Sequence, residues 1–387
     1  MSPPSWDLIN SFLIRRQHLR PDTVGSDLVK TVRDIGGLHA TASTTPYLSL
    51  FARVRGFRRE DLDKELYVMR SLGKIRYVRT TVYILPRDFV PIAFAATKAL
   101  AEPMSAAYSR SLGVSKKDYE ETKNLIMGLL RGGGGLSVRA IKQELGTGLH
   151  VSPIVNLMCD QGILIRGAPE KGWRSTLHTY HLFKEYFPGL SLSSLEESGA
   201  RESVVEQYIS SFGPVTETDV NWWTGFPLAQ VREIVDGLSD KVSCVQSGDK
   251  EYLVPSEKTS SLSLAPTPEK DVVNLLPSLD PYMMGRKERD IYLDSNYYDY
   301  IFDRSGNATS TILHNGKVIG VWDYEEPRVK VHIFQNIHQS VLKRVCSKAA
   351  EVGMFISGKE VVVNLCDVMV PLTKRTAGGF ISPLRCG

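Results

Sequence analysis

His39 and Thr41 stand two residues apart in the run Gly36-Gly37-Leu38-His39-Ala40-Thr41, which is followed by Thr44-Thr45-Pro46-Tyr47. A helix-like pattern ends at the glycines and a new helix is predicted from Pro46, so the polar pair falls at a helix junction among apolar positions. Two such side chains can hold a water molecule between them. Arginines cluster nearby in sequence: Arg15, Arg16, Arg53, Arg55, Arg58, Arg59, Arg76 and Arg79. Residues 1–90 carry 15 Lys and Arg against 9 Asp and Glu, a local excess of +6 in a chain whose net charge is +4. A localised basic face suits a polyanion better than a small acidic ligand, so these arginines are the expected phosphate contacts. The plainer alternative is a solvated basic face.

Other chemistries find less support. The five cysteines (Cys159, Cys244, Cys346, Cys366 and Cys386) are scattered without a C-x-x-C pair, which reads as free thiols in a reducing compartment. The eight histidines show no metal-ligand spacing, so neither a metal nor another cofactor is expected. Gly132 to Gly135 are not a phosphate loop, because no Gly-Lys-Ser/Thr follows. No apolar run approaches the roughly 18 residues of a membrane span, and residues 1–10 lack a secretory pattern. A cytoplasmic protein without membrane contact is expected, acting as a monomer.

The elements that must position these residues follow a recurrent grammar of helix, short helix, helix and two-stranded hairpin. In its clearest copy Ser115-Lys116-Lys117-Asp118 forms a capping box, and Tyr119, Thr122, Ile126 and Leu129 recur at helical spacing. Ser137 caps a short helix with Ile141 and Leu145, Ser152-Pro153 opens a third, and Ile163 to Ile165 pair with Trp173 to Tyr180 as a hairpin. In the next copy Val204, Val205, Tyr208 and Phe212 form the first helix, Thr216 to Asp219 cap the second, and Pro227 opens the third. Its hairpin joins Val242–Val245 to Glu251–Val254. Residues 1–90 fit the scheme more loosely, with a hairpin of Ile75–Val78 and Thr81–Leu85. Three helices and a two-stranded wing make a winged helix-turn-helix.

The predicted organisation is therefore a winged helix over 1–90, a connecting helix over 91–114, winged helices over 115–190 and 196–255, a Ser/Thr/Pro linker over 256–270 and a β-rich domain over 271–387. Hairpin strands Ala308–Leu313 and Val318–Trp322 flank Asn315-Gly316, a helix spans Gln335–Ala350, and strands Met354–Ile356 and Glu360–Asn364 follow. Lys171 and Arg174, on the wing of the second copy, are further expected DNA contacts. Of Trp222-Trp223, one ring is expected in the core, while an exposed partner is a candidate DNA wedge. Asp280, between Pro277 and Pro281, reads first as a structural turn and second as a position lining a DNA channel.

Several segments carry a resemblance that spans nearly the whole chain. They are Gly37-Leu38-His39-Ala40-Thr41, Pro46-Tyr47-Leu48-Ser49-Leu50, Arg79-Thr80-Thr81-Val82-Tyr83-Ile84-Leu85-Pro86 and Leu275-Leu276-Pro277-Ser278-Leu279-Asp280-Pro281-Tyr282, with Asn315 to Trp322 as a late hairpin. In these the chain resembles the AlkZ/YcaQ-like winged-helix DNA glycosylase family, whose members remove alkylated or crosslinked purines from DNA. The resemblance implies an α+β fold of three tandem winged helix-turn-helix units in a C-shaped arrangement, closed by a β-rich C-terminal domain, with double-stranded DNA as partner. It also implies a catalytic motif, Gln-x-Gln or Gln-x-Asp, whose two positions fall here on His39 and Thr41.

Hydrolysis of an N-glycosidic bond passes through an oxocarbenium-like sugar, so the site must place a water and tolerate positive charge. A neutral His39 would accept the water's proton as general base and Thr41 would orient the water through its hydroxyl. A protonated His39 would repel the forming cation, so activity is expected to fall in acid. The plain structural reading is a histidine bonded to a helix-end carbonyl and a threonine cap. Two non-catalytic alternatives stand beside the enzyme: a winged-helix DNA-binding regulator or lesion sensor, and a protein-interaction scaffold.

Overall fold

A computed structural model describes residues 6–247, 249–259, 271–366, 368–372 and 384–385. Most of the expected linker and Cys386 lie outside the described residues. Helices and strands alternate in an α+β fold that divides into two compact units. The first comprises residues 1–36, 47–56 and 208–387, and the second residues 37–46 and 57–207. Residues 1–90, read from the sequence as one segment, thus contribute to both units. Among the described residues no helix is long and apolar enough to cross a membrane.

The second unit carries His39. Its first sheet has three strands in the order Leu38–His39, Val82–Pro86, Leu72–Arg76, all antiparallel. Leu38 faces Ile84, which faces Lys74, while His39 faces Tyr83, which faces Ile75. Because side chains alternate along a strand, His39 and Tyr83 share one face of the sheet and Lys74 stands on the other. The helix Val90–Ser111 follows, occupying most of the span 91–114 read as a connecting helix.

Farther along, Ser115 caps the helix Lys116–Leu130 by accepting from the Asp118 amide, with the Asp118 carboxylate returning the bond. Tyr119, Thr122, Ile126 and Leu130 face inward. Leu129, expected in that stripe, is instead exposed, because Ile126 and Leu130 complete the i, i+4 row. Ser137 caps Val138–Leu145, and Val151–Asp160 supplies the apolar centre of this region with Val151, Ile154, Val155 and Met158. Leu136–Ser137, His178–Leu182 and Leu164–Pro169 form a second three-stranded sheet. The returning strand starts at His178, so Trp173 and Arg174 lie in the connecting loop rather than in a strand.

In the first unit Thr216 caps the helix Glu217–Thr224, which is followed by the helix Leu228–Gly237 and the hairpin of Val242–Ser247 with Lys250–Pro255. A five-stranded sheet then runs in the order Val362–Leu365, Arg328–Ile333, Lys317–Glu325, Thr311–His314, Val273–Leu276. Its one parallel pair, Arg328–Ile333 with Val362–Leu365, is bridged by the helix Gln339–Ser357. That helix overruns the expected strand Met354–Ile356. Val345, Ala349, Val352 and Ile356 are buried at helical spacing up to Gly358, whose φ of 74° closes it. Trp223 is core, and Trp222 lies against the Arg289 guanidinium 5.4 Å from the ring centroid rather than standing out as a wedge.

One expected DNA contact, Arg53, belongs to this core instead, and it is paired with Asp280, whose first reading was a structural turn. Arg53 and Asp280 are both fully buried, and they form a bidentate pair with Nη2–Oδ1 at 2.6 Å and Nη1–Oδ2 at 2.8 Å. Arg53 also donates to the carbonyls of Gln17 and Ser49, while Asp280 accepts from Ser49 Oγ and the Tyr282 amide, capping Pro281–Met284. Neither can meet a phosphate or line a channel, because every charge-bearing atom is consumed internally. The reading of five free thiols also needs correction. Cys159, Cys244 and Cys346 are free, whereas Cys366 is disulfide-bonded.

Candidate active site

His39 ends a two-residue strand that a glycine makes possible. Gly37 has φ of +93°, and a Cβ there would lie 2.6 Å from Leu85 Cδ2 and 3.2 Å from the Ile84 carbonyl, so only glycine lets this short strand approach its neighbour. Pairing continues one residue further through the Ala40 amide, which donates to the Val82 carbonyl at 2.7 Å, and the chain then leaves the sheet. His39 is only 4% exposed, whereas Thr41 is exposed. Within two residues the chain passes from a buried ring to a residue at the surface.

Three neighbours define the histidine. The Tyr83 ring packs on it with centroids 5.1 Å apart. The Thr41 amide donates to His39 Nδ1 at 3.4 Å, a long contact made by the motif's own backbone. Arg79 supplies a nearby positive charge from the turn Val78–Thr80, where Arg79 and Thr80 both take left-handed φ, 51° and 55°. Two consecutive non-glycine residues in that region store strain of order 1 kcal/mol each. Burial, with the Arg79 charge second, pushes the His39 pKa down to about 4, so the ring is neutral at neutral pH. With Nδ1 accepting from Thr41, the neutral ring carries its proton on Nε2. In that tautomer Nε2 is a hydrogen-bond donor.

The expected basic contacts divide into inward and outward groups. In the first unit Arg15 pairs with Asp22 at 2.7 Å while remaining partly exposed, and Arg55 is exposed. Arg16 is half-buried, donates to Ser210 Oγ at 3.3 Å, and has its pKa lowered by desolvation. In the second unit Arg76 is likewise held internally, with Nε 3.2 Å from Asp160 Oδ1 and Nη1 donating to Ser105 Oγ. Arg58 is exposed beside Asp61, Arg59 and Arg79 are half-buried, and Lys171 and Arg174 are exposed.

Sequence reasoning missed the contacts that join these last residues to the motif loop. Ser43 Oγ donates to the Arg174 main-chain carbonyl at 2.8 Å, tying residues 41–46 to the loop 170–177. Trp173 of that loop is contacted by two guanidiniums, Arg59 at 5.3 Å and Arg174 at 5.5 Å from the ring centroid. The only available signal was Trp173 itself beside Lys171 and Arg174, and assigning it to a strand hid its place in the loop.

The second unit contains further histidines of depressed basicity. Burial, with Lys74 and Arg166 adding to it, lowers the His178 pKa to about 3, and burial with Arg70 lowers that of His181. An unfolded histidine takes up its proton near pH 6.5. Between about pH 6.5 and 4 the unfolded chain therefore binds more protons than the folded one, and stability must fall as the pH falls. His39 alone contributes a slope of up to about 1.4 kcal/mol per pH unit in that window. Thermal melts from pH 7 to 4.5 are expected to show a steady loss that is shallower in His39→Gln, and an identical slope in the variant would contradict the burial of a neutral ring.

A family model described as DNA glycosylase AlkZ-like matches residues 32–352. The interstrand DNA cross-link repair glycosylase of Streptomyces sahachiroi is 22% identical over 371 residues, covering 90% of this chain and 96% of that relative. The solved structure of Streptomyces sahachiroi DNA glycosylase AlkZ superposes with a TM-score of 0.76 at 20% identity, covering 94% of this chain and 100% of the other. The fold is therefore shared over nearly the full length.

Proposed function

Since this chain belongs to the AlkZ-like DNA glycosylase family, we propose that it hydrolyses the N-glycosidic bond of alkylated or crosslinked purines in duplex DNA, with the water held by His39 and Thr41. The tandem winged-helix reading supplies duplex binding, and the protein acts as a monomer. The crosslink is included because the Streptomyces relative is named for interstrand cross-link repair.

The observation that carries the catalytic reading is the neutral His39 ring, with Nδ1 facing the Thr41 amide and Tyr83 behind it. Such a ring brings no positive charge to a site where an oxocarbenium-like sugar develops. Nε2–H donates to one lone pair of the water, the Thr41 hydroxyl accepts one of its protons, and the second lone pair is directed at C1′. A purine alkylated at N7 or N3 is already cationic. When the C1′–N bond breaks, its electron pair leaves with the base and neutralises that charge. Water adds to C1′, and its surplus proton passes to solvent. A good leaving group makes orientation of the water more valuable than its deprotonation.

The pH dependence of base release tests this assignment. With the His39 pKa near 4, the single-turnover rate, corrected for uncatalysed depurination, is expected to stay level from pH 8 to about 5. It then falls as the ring gains charge. A rate that declines already through pH 7 to 6 would mean an ordinary histidine in solvent and would remove His39 from the site.

A further inference from the structure

The motif loop and the loop 170–177 are separated by about 130 residues of sequence yet share a side-chain tie, Ser43 Oγ to the Arg174 carbonyl. Beside that tie two cations converge on one aromatic ring, Arg59 and Arg174 on Trp173, with the exposed Lys171 two residues away. A guanidinium that lies against a ring covers its face and keeps its edge donors directed outward, in the geometry that meets phosphate oxygens two at a time.

We propose that Arg59, Trp173 and Arg174 form a clamp for the phosphodiester backbone of one DNA strand, and that Ser43 is a positioning residue which couples this clamp to the His39–Thr41 loop. The clamp supplies affinity without reading sequence, since phosphates carry none. Its second effect is mechanical. The loop from Thr41 to Thr44 lies outside regular secondary structure, and only its start is held by the sheet, through Ala40. Ser43 fixes its far side to Arg174, so engagement of the strand sets the position of Thr41 and of the amide that faces His39. Trp173 contributes by holding both guanidiniums in place at little cost in side-chain entropy, a ring with two rotatable bonds steadying two flexible side chains. The inference rests on the glycosylase reading, and the experiment separates the two.

DNA affinity and single-turnover base release are measured on a duplex containing one N7-methylguanine. Arg59→Ala/Arg174→Ala is expected to weaken binding about tenfold at moderate salt and to flatten the slope of log K against log salt by about 1.8, the loss of two phosphate contacts. Ser43→Ala is expected to keep affinity within about twofold while the single-turnover rate falls about tenfold, and Ser43→Thr, which keeps the hydroxyl, restores the rate. A general structural defect would lower both quantities and would not be rescued by threonine. The clamp is overturned if the double-alanine variant binds with unchanged affinity and salt slope. The coupling is overturned if Ser43→Ala reacts at the wild-type rate, or if affinity and rate fall together. Absence of base release by the wild type would overturn the glycosylase reading and the coupling with it, while the affinity and salt measurements would still decide the clamp.

Discussion

His39→Ala is expected to lower single-turnover release of an N7-alkylpurine about 100-fold, equivalent to about 2.7 kcal/mol of transition-state stabilisation, while His39→Gln stays within about tenfold of wild type. The reasoning follows from the ring's environment. His39 is buried against Tyr83, neutral at working pH, and receives the Thr41 amide on Nδ1. Alanine removes both the donor that holds the water and the partner of that amide. Glutamine is neutral at every pH and offers one amide acceptor and two donors, so it can serve both neighbours. It is also the residue that the resemblance to the family implies for this position. Melting temperatures of the two variants separate a catalytic loss from a cavity beneath Tyr83. Equal rates for wild type and His39→Ala would take His39 out of the mechanism and leave a histidine whose work is packing.

Arg53→Met is expected to destabilise the first unit by about 3–5 kcal/mol, because it leaves the Asp280 carboxylate buried without its partner. Arg53→Met combined with Asp280→Asn should cost less than Arg53→Met alone. Asparagine keeps the cap on the Tyr282 amide through Oδ1 and can donate from Nδ2 to Ser49 Oγ in place of the bond that Asp280 Oδ2 accepts, yet carries no charge to strand. Denaturant or thermal unfolding reads both outcomes. Were Arg53 a phosphate contact, Arg53→Met would instead melt like wild type and bind DNA more weakly with a shallower salt dependence.

The second result bears on what the sequence could reveal. Caps and turns were legible where local chemistry decides them: Ser115 with Asp118, Ser137, Thr216 with Asp219, and Asn315-Gly316 with its two positive φ angles. His39 and Thr41 were legible as a polar pair after a glycine break, but the break was read as a helix junction, and the two-residue strand Leu38–His39 was missed because its partner lies more than 40 residues away. Charge alone could not sort the arginines. Arg53 and Arg55 are neighbours in a helix terminus and loop, yet one is sealed against Asp280 and the other exposed, since the partner of Arg53 lies 227 positions away. Long-range pairing of that kind leaves no local periodicity. The same is true of Ser43 with Arg174. The histidine's tautomer, too, depends on a backbone amide two residues on, whose direction is set by where the strand ends.

The proposed hydrolysis of N-glycosidic bonds by this member of the AlkZ-like family places His-x-Thr in the water-holding position. It is tested most directly by incubating excess wild-type protein with a duplex carrying a single N7-methylguanine, then measuring free base and abasic sites together. Equimolar free N7-methylguanine and abasic sites are expected, formed well above the uncatalysed rate and lowered in parallel about 100-fold by His39→Ala. Saturable, salt-sensitive binding with no base released above background would contradict it and leave a DNA-binding protein on a glycosylase fold.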